Sequence, residues 1–100
     1  MDTILDLEMK VVDWAHRRNL VHPENVNSQM LKVMEEVGEL ASAIAKNKEE
    51  ETIDAIGDVL ITLIILSAQL ELNPWDCLEA AYGEIKERKG KLVNGIFIKE

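Results

Sequence analysis

Two acidic groups joined by a short charged link constrain this chain more than any other feature. The first reads Glu35-Glu36-Val37-Gly38-Glu39-Leu40 and the second Asp54-Ala55-Ile56-Gly57-Asp58. Each lies in an apolar pattern of helical period. A helix advances about 100° per residue, so Glu35 and Glu39, and again Asp54 and Asp58, are i, i+4 neighbours. Glu36 and Glu39 are i, i+3 neighbours, and Glu51 falls one turn before Asp54 on nearly the same face. Like charges at these spacings repel and weaken a bare helix. A hard divalent cation removes that penalty by taking several carboxylate oxygens at once. Met30, Leu31, Val33, Met34, Val37 and Leu40 surround the first group; Ile53, Ile56, Val59 and Leu60 surround the second. Carboxylates beside a core are uncommon unless paired or bound to metal. Spacing alone leaves two readings open, a solvated helix surface and a metal site.

The length of 100 residues predicts one domain spanning residues 1–100. With 47% hydrophobic residues but only 4% aromatic, its core is aliphatic, and five Gly and two Pro suit helices. The formal net charge of −8 argues against a nucleic-acid backbone or an anionic membrane as main partner. It leaves room for a small phosphorylated ligand, because a bound cation inverts the local sign. The single Cys77 has no partner for an internal disulfide, which fits a reducing compartment. In its helical context it reads as a small core or interface residue rather than a nucleophile. Met1-Asp2-Thr3 does not resemble a secretory signal, and the apolar run from Val59 to Leu66 is far short of a membrane span. The expectation is a cytoplasmic protein.

The pattern predicts four helices in order. The first covers residues 3–18, with Thr3 and Asp6 as a capping box and Arg17 and Arg18 suiting its C-terminus. Its Trp14 reads as core or interface, with base stacking as the alternative. A loop over residues 19–27 contains His22-Pro23; Pro23 holds His22 out of helical conformation. Asn27 or Ser28 is expected to cap a second helix running to Lys46, and Gly38 inside it either permits close approach or is merely tolerated. A third helix is expected from Glu50 to Leu72. Val59–Leu66 alone would also suit a buried strand, but an apolar pattern from Ile53 to Leu72 is too long for one. A helix apolar nearly all round is a buried one. Asn73-Pro74 then caps and starts a fourth helix, expected to reach Arg88 and close at Gly90. Asn94-Gly95 between Leu92-Val93 and Ile96-Phe97-Ile98 signals a hairpin or arm. Lys86, Arg88, Lys89 and Lys91 form the one basic patch, which reads on spacing as a solvated helix end.

At Glu35-Glu36-Val37-Gly38-Glu39 and Gly57-Asp58-Val59-Leu60 the chain resembles the MazG-like nucleotide pyrophosphohydrolases of the all-α NTP pyrophosphatase superfamily. The resemblance extends over nearly the whole chain, including the Trp14 helix, His22-Pro23-Glu24-Asn25 and Arg88-Lys89-Gly90-Lys91-Leu92-Val93-Asn94-Gly95. It departs from the family pattern at Ala55, where a Glu is usual three residues before the Asp. Asp54 or Glu51 is the candidate replacement.

The resemblance implies an all-α fold, a four-helix bundle completed by oligomerisation as a homodimer or homotetramer. It implies hydrolysis of a nucleoside triphosphate to monophosphate and pyrophosphate, with Mg²⁺, or Mn²⁺, as cofactor. Glu36, Glu39 and Asp58 would hold the metal, with Asp54 as the possible fourth ligand. Glu35 would position the attacking water or a second metal. Lys86, Lys89 and Asn94 would bind phosphate or sugar oxygens, and Trp14 or His22 would meet the base. The rival reading is a non-enzymatic helical oligomer whose acidic groups bind a structural cation or a protein partner.

Overall fold

The computed structural model describes residues 1–100. Helix α1 (Ile4–Arg17) is followed by a single 3-10 turn at Pro23–Asn25 and helix α2 (Val26–Ala45). Helices α3 (Glu49–Gln69) and α4 (Pro74–Ile85) follow, and strands β1 (Gly90–Val93) and β2 (Ile96–Lys99) end the chain. The all-α class is confirmed, with a small C-terminal hairpin.

Local chemistry explains the boundaries. Thr3 and Asp6 form the reciprocal capping box expected for α1. Asn73 accepts hydrogen bonds from the backbone N–H groups of Trp75 and Asp76, with Pro74 at the first helical position. The start of α2 differs from expectation. Neither Asn27 nor Ser28 caps it; the helix grows straight out of the Pro23–Asn25 turn, and both residues lie inside it. Helix α4 stops at Ile85, and Gly90 opens β1 instead of closing a helix. A Cβ at Gly90 would collide with the Ile98 carbonyl and the Phe97 ring, so the strand pairing requires glycine there. Asn94 and Gly95 both have positive φ, 51° and 79°, as a two-residue type I′ turn demands. Gly38 faces open space within the chain, so no other helix of the same chain approaches it closely.

Helices α1, α2 and α3 share one C-terminal device. The backbone N–H groups of Leu20, Lys48 and Leu72 reach back to the carbonyls of Ala15, Ala43 and Ser67. Asn19, Asn47 and Glu71, at φ 57°, 54° and 58°, make the left-handed turns between. The short turn after α2 folds α3 back along it. Gln29 at the start of α2 bonds the Thr62 carbonyl late in α3, while Ala43 late in α2 shares a cleft with Glu51 early in α3. The two helices are therefore antiparallel.

The core lies along this pair and α1: Ala15, Val33, Ala43, Ala55, Ile64 and Ile65 are buried. It is thinner than the sequence pattern predicts. Leu31 and Met34 of α2 are 73% and 59% exposed, and Ile53 of α3 is 65% exposed, so α3 is not enclosed on all sides within one chain. Cys77 is exposed as well. Helix α4 leaves α3 at 103° and is tied to α1 where the Trp75 indole N–H donates to Glu8. The radius of gyration, 15.9 Å, exceeds the roughly 13 Å of a compact chain of this length. No single helix is long and apolar enough to cross a membrane.

Glu71 pays the steric cost of a left-handed side chain, which glycine would not. After allowing for the looser unfolded chain, Glu71→Gly is expected to raise stability by roughly 0.5–1 kcal/mol. Urea denaturation checks this; unchanged or lowered stability would show that Glu71 makes a compensating contact.

Candidate active site

The turn at residues 46–48 sets α2 and α3 in a register that carries both acidic groups to one place. Glu35, Glu36 and Glu39 bring a carboxylate oxygen each within 4.8 Å of one another. Across from them, Asp54 and Asp58 project from α3. Glu39, Glu51, Asp54 and Asp58 line a cleft of about 290 Å³ floored by Ala43 and Ala55. Asp58 also lines two larger clefts. One, of about 520 Å³, includes Trp14, Lys32 and Glu36; the other, of about 480 Å³, runs along α1 past Lys10 and Trp14.

Glu36 is the most deeply placed of these acids. Its side chain is 9% exposed, and its Oε2 is buried without a hydrogen-bond partner. Its Oε1 pairs with the Lys32 ammonium at 3.2 Å, and Lys32 also reaches Glu35 at 3.4 Å. The hydrogen bond to Glu36, then the Glu35 charge, hold the Lys32 ammonium above its usual pKa. Glu39 has no cation of its own. The Glu36 charge, then burial, push its carboxyl above the ordinary 4.5. Burial first, then the charges of Asp54 and Glu36, raise the Asp58 carboxyl above 3.8.

The structure therefore brings together Glu35, Glu36, Glu39, Asp54 and Asp58, with Glu51 at the rim and Trp14 on the adjoining wall. Arg18 stacks on Trp14, its guanidinium carbon 4.1 Å from the ring centroid. His22, by contrast, is exposed in the loop and lines none of these clefts. Lys86 follows the end of α4, and Lys89 and Asn94 belong to the exposed hairpin segment. None of the three reaches the acidic clefts of this chain.

Sequence reasoning missed Lys32, Gln29, Asn25 and Gln69, all in the wall of the largest of the three clefts. Lys32 was discoverable, standing three and four residues before Glu35 and Glu36. The amides carry no comparable signal, because Asn and Gln are ordinarily solvent-facing.

The MazG nucleotide pyrophosphohydrolase domain matches residues 24–89. The chain belongs to this family. It is also 41% identical over 73 residues to an uncharacterized 18.2 kDa protein in the rep-hol intergenic region of Haemophilus phage HP1. That alignment covers 73% of this chain and 45% of the phage protein, so the chain spans less than half of the relative it matches. No solved structure matches.

Because Glu39 and Asp58 hold protons more tightly folded than unfolded, folding takes up protons at these groups. Their contribution to metal-free stability is present at low pH and is lost as pH rises from the ordinary values of 3.8 and 4.5 through the raised ones. Asp58→Asn is expected to raise the metal-free Tm at neutral pH and to flatten this pH dependence. Thermal unfolding in EDTA checks both; a lower Tm would show that the Asp58 charge is compensated.

Proposed function

We propose that this chain is a divalent-cation-dependent pyrophosphohydrolase that cleaves a nucleoside triphosphate to the monophosphate and pyrophosphate. The observation that carries this is the unpartnered, buried Oε2 of Glu36 beside two carboxyls held above their ordinary pKa, Glu39 first by the Glu36 charge and Asp58 first by burial. A buried acceptor and a set of purely oxygen donors fit a hard cation, Mg²⁺ or Mn²⁺. Glu36, Glu39 and Asp58 would hold it, with Asp54 supplying the ligand that Ala55 lacks. When bound, the ion neutralises polyphosphate charge and acidifies water.

The chain's own groups do the rest. Glu35, half-exposed at the edge of the cluster, accepts a hydrogen bond from the attacking water and orients it for in-line approach to the α-phosphorus. Lys32 holds Glu35 and Glu36 in position. Trp14 offers an aromatic wall to the base. Lys86, Lys89 and Asn94 serve substrate only if a second subunit brings them to the cleft. The exposed apolar residues of α2, α3 and α4 support that arrangement, a homodimer or homotetramer, since a single chain leaves Leu31, Met34, Ile53, Leu78 and Tyr82 uncovered.

With Mg²⁺ and a panel of ribo- and deoxynucleoside triphosphates, the expected products are monophosphate and pyrophosphate. Glu39→Gln and Asp58→Asn are expected to lower kcat by roughly 100-fold or more with helicity retained. Normal turnover in either variant would remove that residue from the site. Sedimentation analysis is expected to show a dimer or tetramer, and a monomer at micromolar concentration would contradict the shared-site arrangement.

A second reading has one observation behind it. Ala55 is buried in the floor of the acidic cleft, where the family pattern has a carboxylate. A site short of one ligand suits a helical oligomer that binds a structural cation or a protein partner without turnover. That reading predicts a Mg²⁺-dependent rise in Tm and no pyrophosphate from any nucleotide.

A further inference from the structure

Two of the clefts that meet at Asp58 contain one lysine each, and the two lysines are committed differently. Lys32, in the cleft of about 520 Å³, bridges two acids of the cluster, Glu35 at 3.4 Å and Glu36 at 3.2 Å. Drawing it away would strip the buried Glu36 carboxylate of its cation, which is costly. Arg18 is also occupied: it stacks on the Trp14 ring and donates to the Trp14 carbonyl at 3.1 Å. Lys10, in the cleft of about 480 Å³, has a single anionic partner, Asp2, at 2.9 Å. Both of these side chains are exposed, 68% and 41%, and an exposed pair gains little over water. Asp2 lies outside α1 and takes no part in its cap, which Thr3 and Asp6 form. The Lys10 ammonium can therefore exchange Asp2 for another anion without disturbing a helix end or a buried charge.

The position of Lys10 indicates which anion. Lys10 and Trp14 are i, i+4 neighbours on α1, about 6 Å apart in helix rise. Both line the cleft of about 480 Å³ with Leu7, Asp58 and Ile61. On α3, Ile61 stands about 4.5 Å of rise beyond Asp58. Leu20, just past α1, accepts a hydrogen bond from Gln69 at the end of α3, while Leu7 and Lys10 share their cleft with Asp58, three turns earlier on α3. The two helices thus run in the same sense. Lys10 and Asp58 charge one end of the cleft, and Trp14 and Ile61 form the other. A nucleotide has the same polarity, a flat ring at one end and phosphates at the other. A polyphosphate carries more negative charge than one divalent ion neutralises, and a lysine facing the acids supplies part of the remainder.

We propose that Lys10 binds the polyphosphate of the substrate, and that Asp2 occupies its ammonium until the phosphates displace it. The inference rests on the pyrophosphohydrolase reading and adds to it a substrate-binding residue from α1 of the same chain. Asp2 is then a built-in competitor of the phosphates, so the two residues act on binding with opposite sign.

The probe is inorganic pyrophosphate, titrated by calorimetry into the full chain with Mg²⁺, so that no turnover is needed. Lys10→Met is expected to weaken its binding by roughly 10-fold, with helicity retained, and Lys10→Arg to keep most of it. Asp2→Asn is expected to tighten binding by roughly 2- to 5-fold, the range an exposed ion pair allows. In a Lys10→Met background the Asp2→Asn gain is expected to vanish, because there is no ammonium left to release. Unchanged affinity in Lys10→Met overturns the inference. So does a gain from Asp2→Asn that is absent, reversed or persistent without Lys10, and so does failure of the unmodified chain to bind pyrophosphate. The reaction is judged separately, with nucleoside triphosphates. The expected binding pattern without cleavage of any triphosphate removes the reaction and keeps the Lys10 contact. Cleavage with unchanged pyrophosphate affinity in Lys10→Met keeps the reaction and removes the contact.

Discussion

The antiparallel contact between α2 and α3 is the interaction on which the rest of this structure depends. Its buried residues include Ala43 and Ala55, small enough to floor a cleft instead of filling it. The Gln29 amide to the Thr62 carbonyl fixes the register at the other end. In that register the acids of α2 face those of α3, which neither helix would choose alone. Packing and hydrogen bonding of the pair thus hold together a charge cluster that electrostatics opposes; the Glu39 carboxyl is raised first by the Glu36 charge, and that of Asp58 first by burial and then by the charges of Asp54 and Glu36. A substitution that slid α3 along α2 by one turn would separate Glu36 from Asp58 and erase the site without touching an acid.

The same pair explains why the chain looks incomplete by itself. A core of small and branched aliphatics with no large side chain fully buried offers limited burial for a chain of this size. The apolar residues that would thicken it point outwards from α2, α3 and α4. The hairpin β1–β2 likewise pairs only with itself along its strands, with Leu92, Ile96 and Phe97 exposed. Covering these surfaces with a second copy would bury apolar area.

Much of this was legible in sequence, for identifiable reasons. Periodicity placed the four helices, and turn chemistry placed the hairpin, because Asn94-Gly95 satisfies two positive φ values that few other pairs tolerate. The i, i+4 spacing put the acids on shared faces. Helix ends were less readable. Pro23 and Glu24 begin a 3-10 turn that runs directly into α2, so a side-chain cap at Asn27 or Ser28 has no role. Burial was the least readable. Leu31 and Ile53 fit an apolar helical stripe, yet a stripe does not say whether its partner lies in the same chain. The amides of the large cleft were invisible for a related reason: Gln69 meets Leu20 across 49 positions, and only the folded chain brings the two together.

The charges themselves indicate where a cation belongs. Lys32 answers Glu35 and Glu36, and Lys48 lies 3.6 Å from Glu51. Glu39, Asp54 and Asp58 have no ion pair. Within this one cleft, one residue of α2 and two of α3 thus carry negative charge without an ion pair. Its floor is Ala55, where a longer side chain would occupy the space between them. A divalent ion there would be reached by Asp54 from the flank, a shorter arm from a shifted angle. Asp58 also borders the large cleft that Trp14, Lys32 and Glu36 line. The acidic cleft and the larger cleft therefore meet at Asp58.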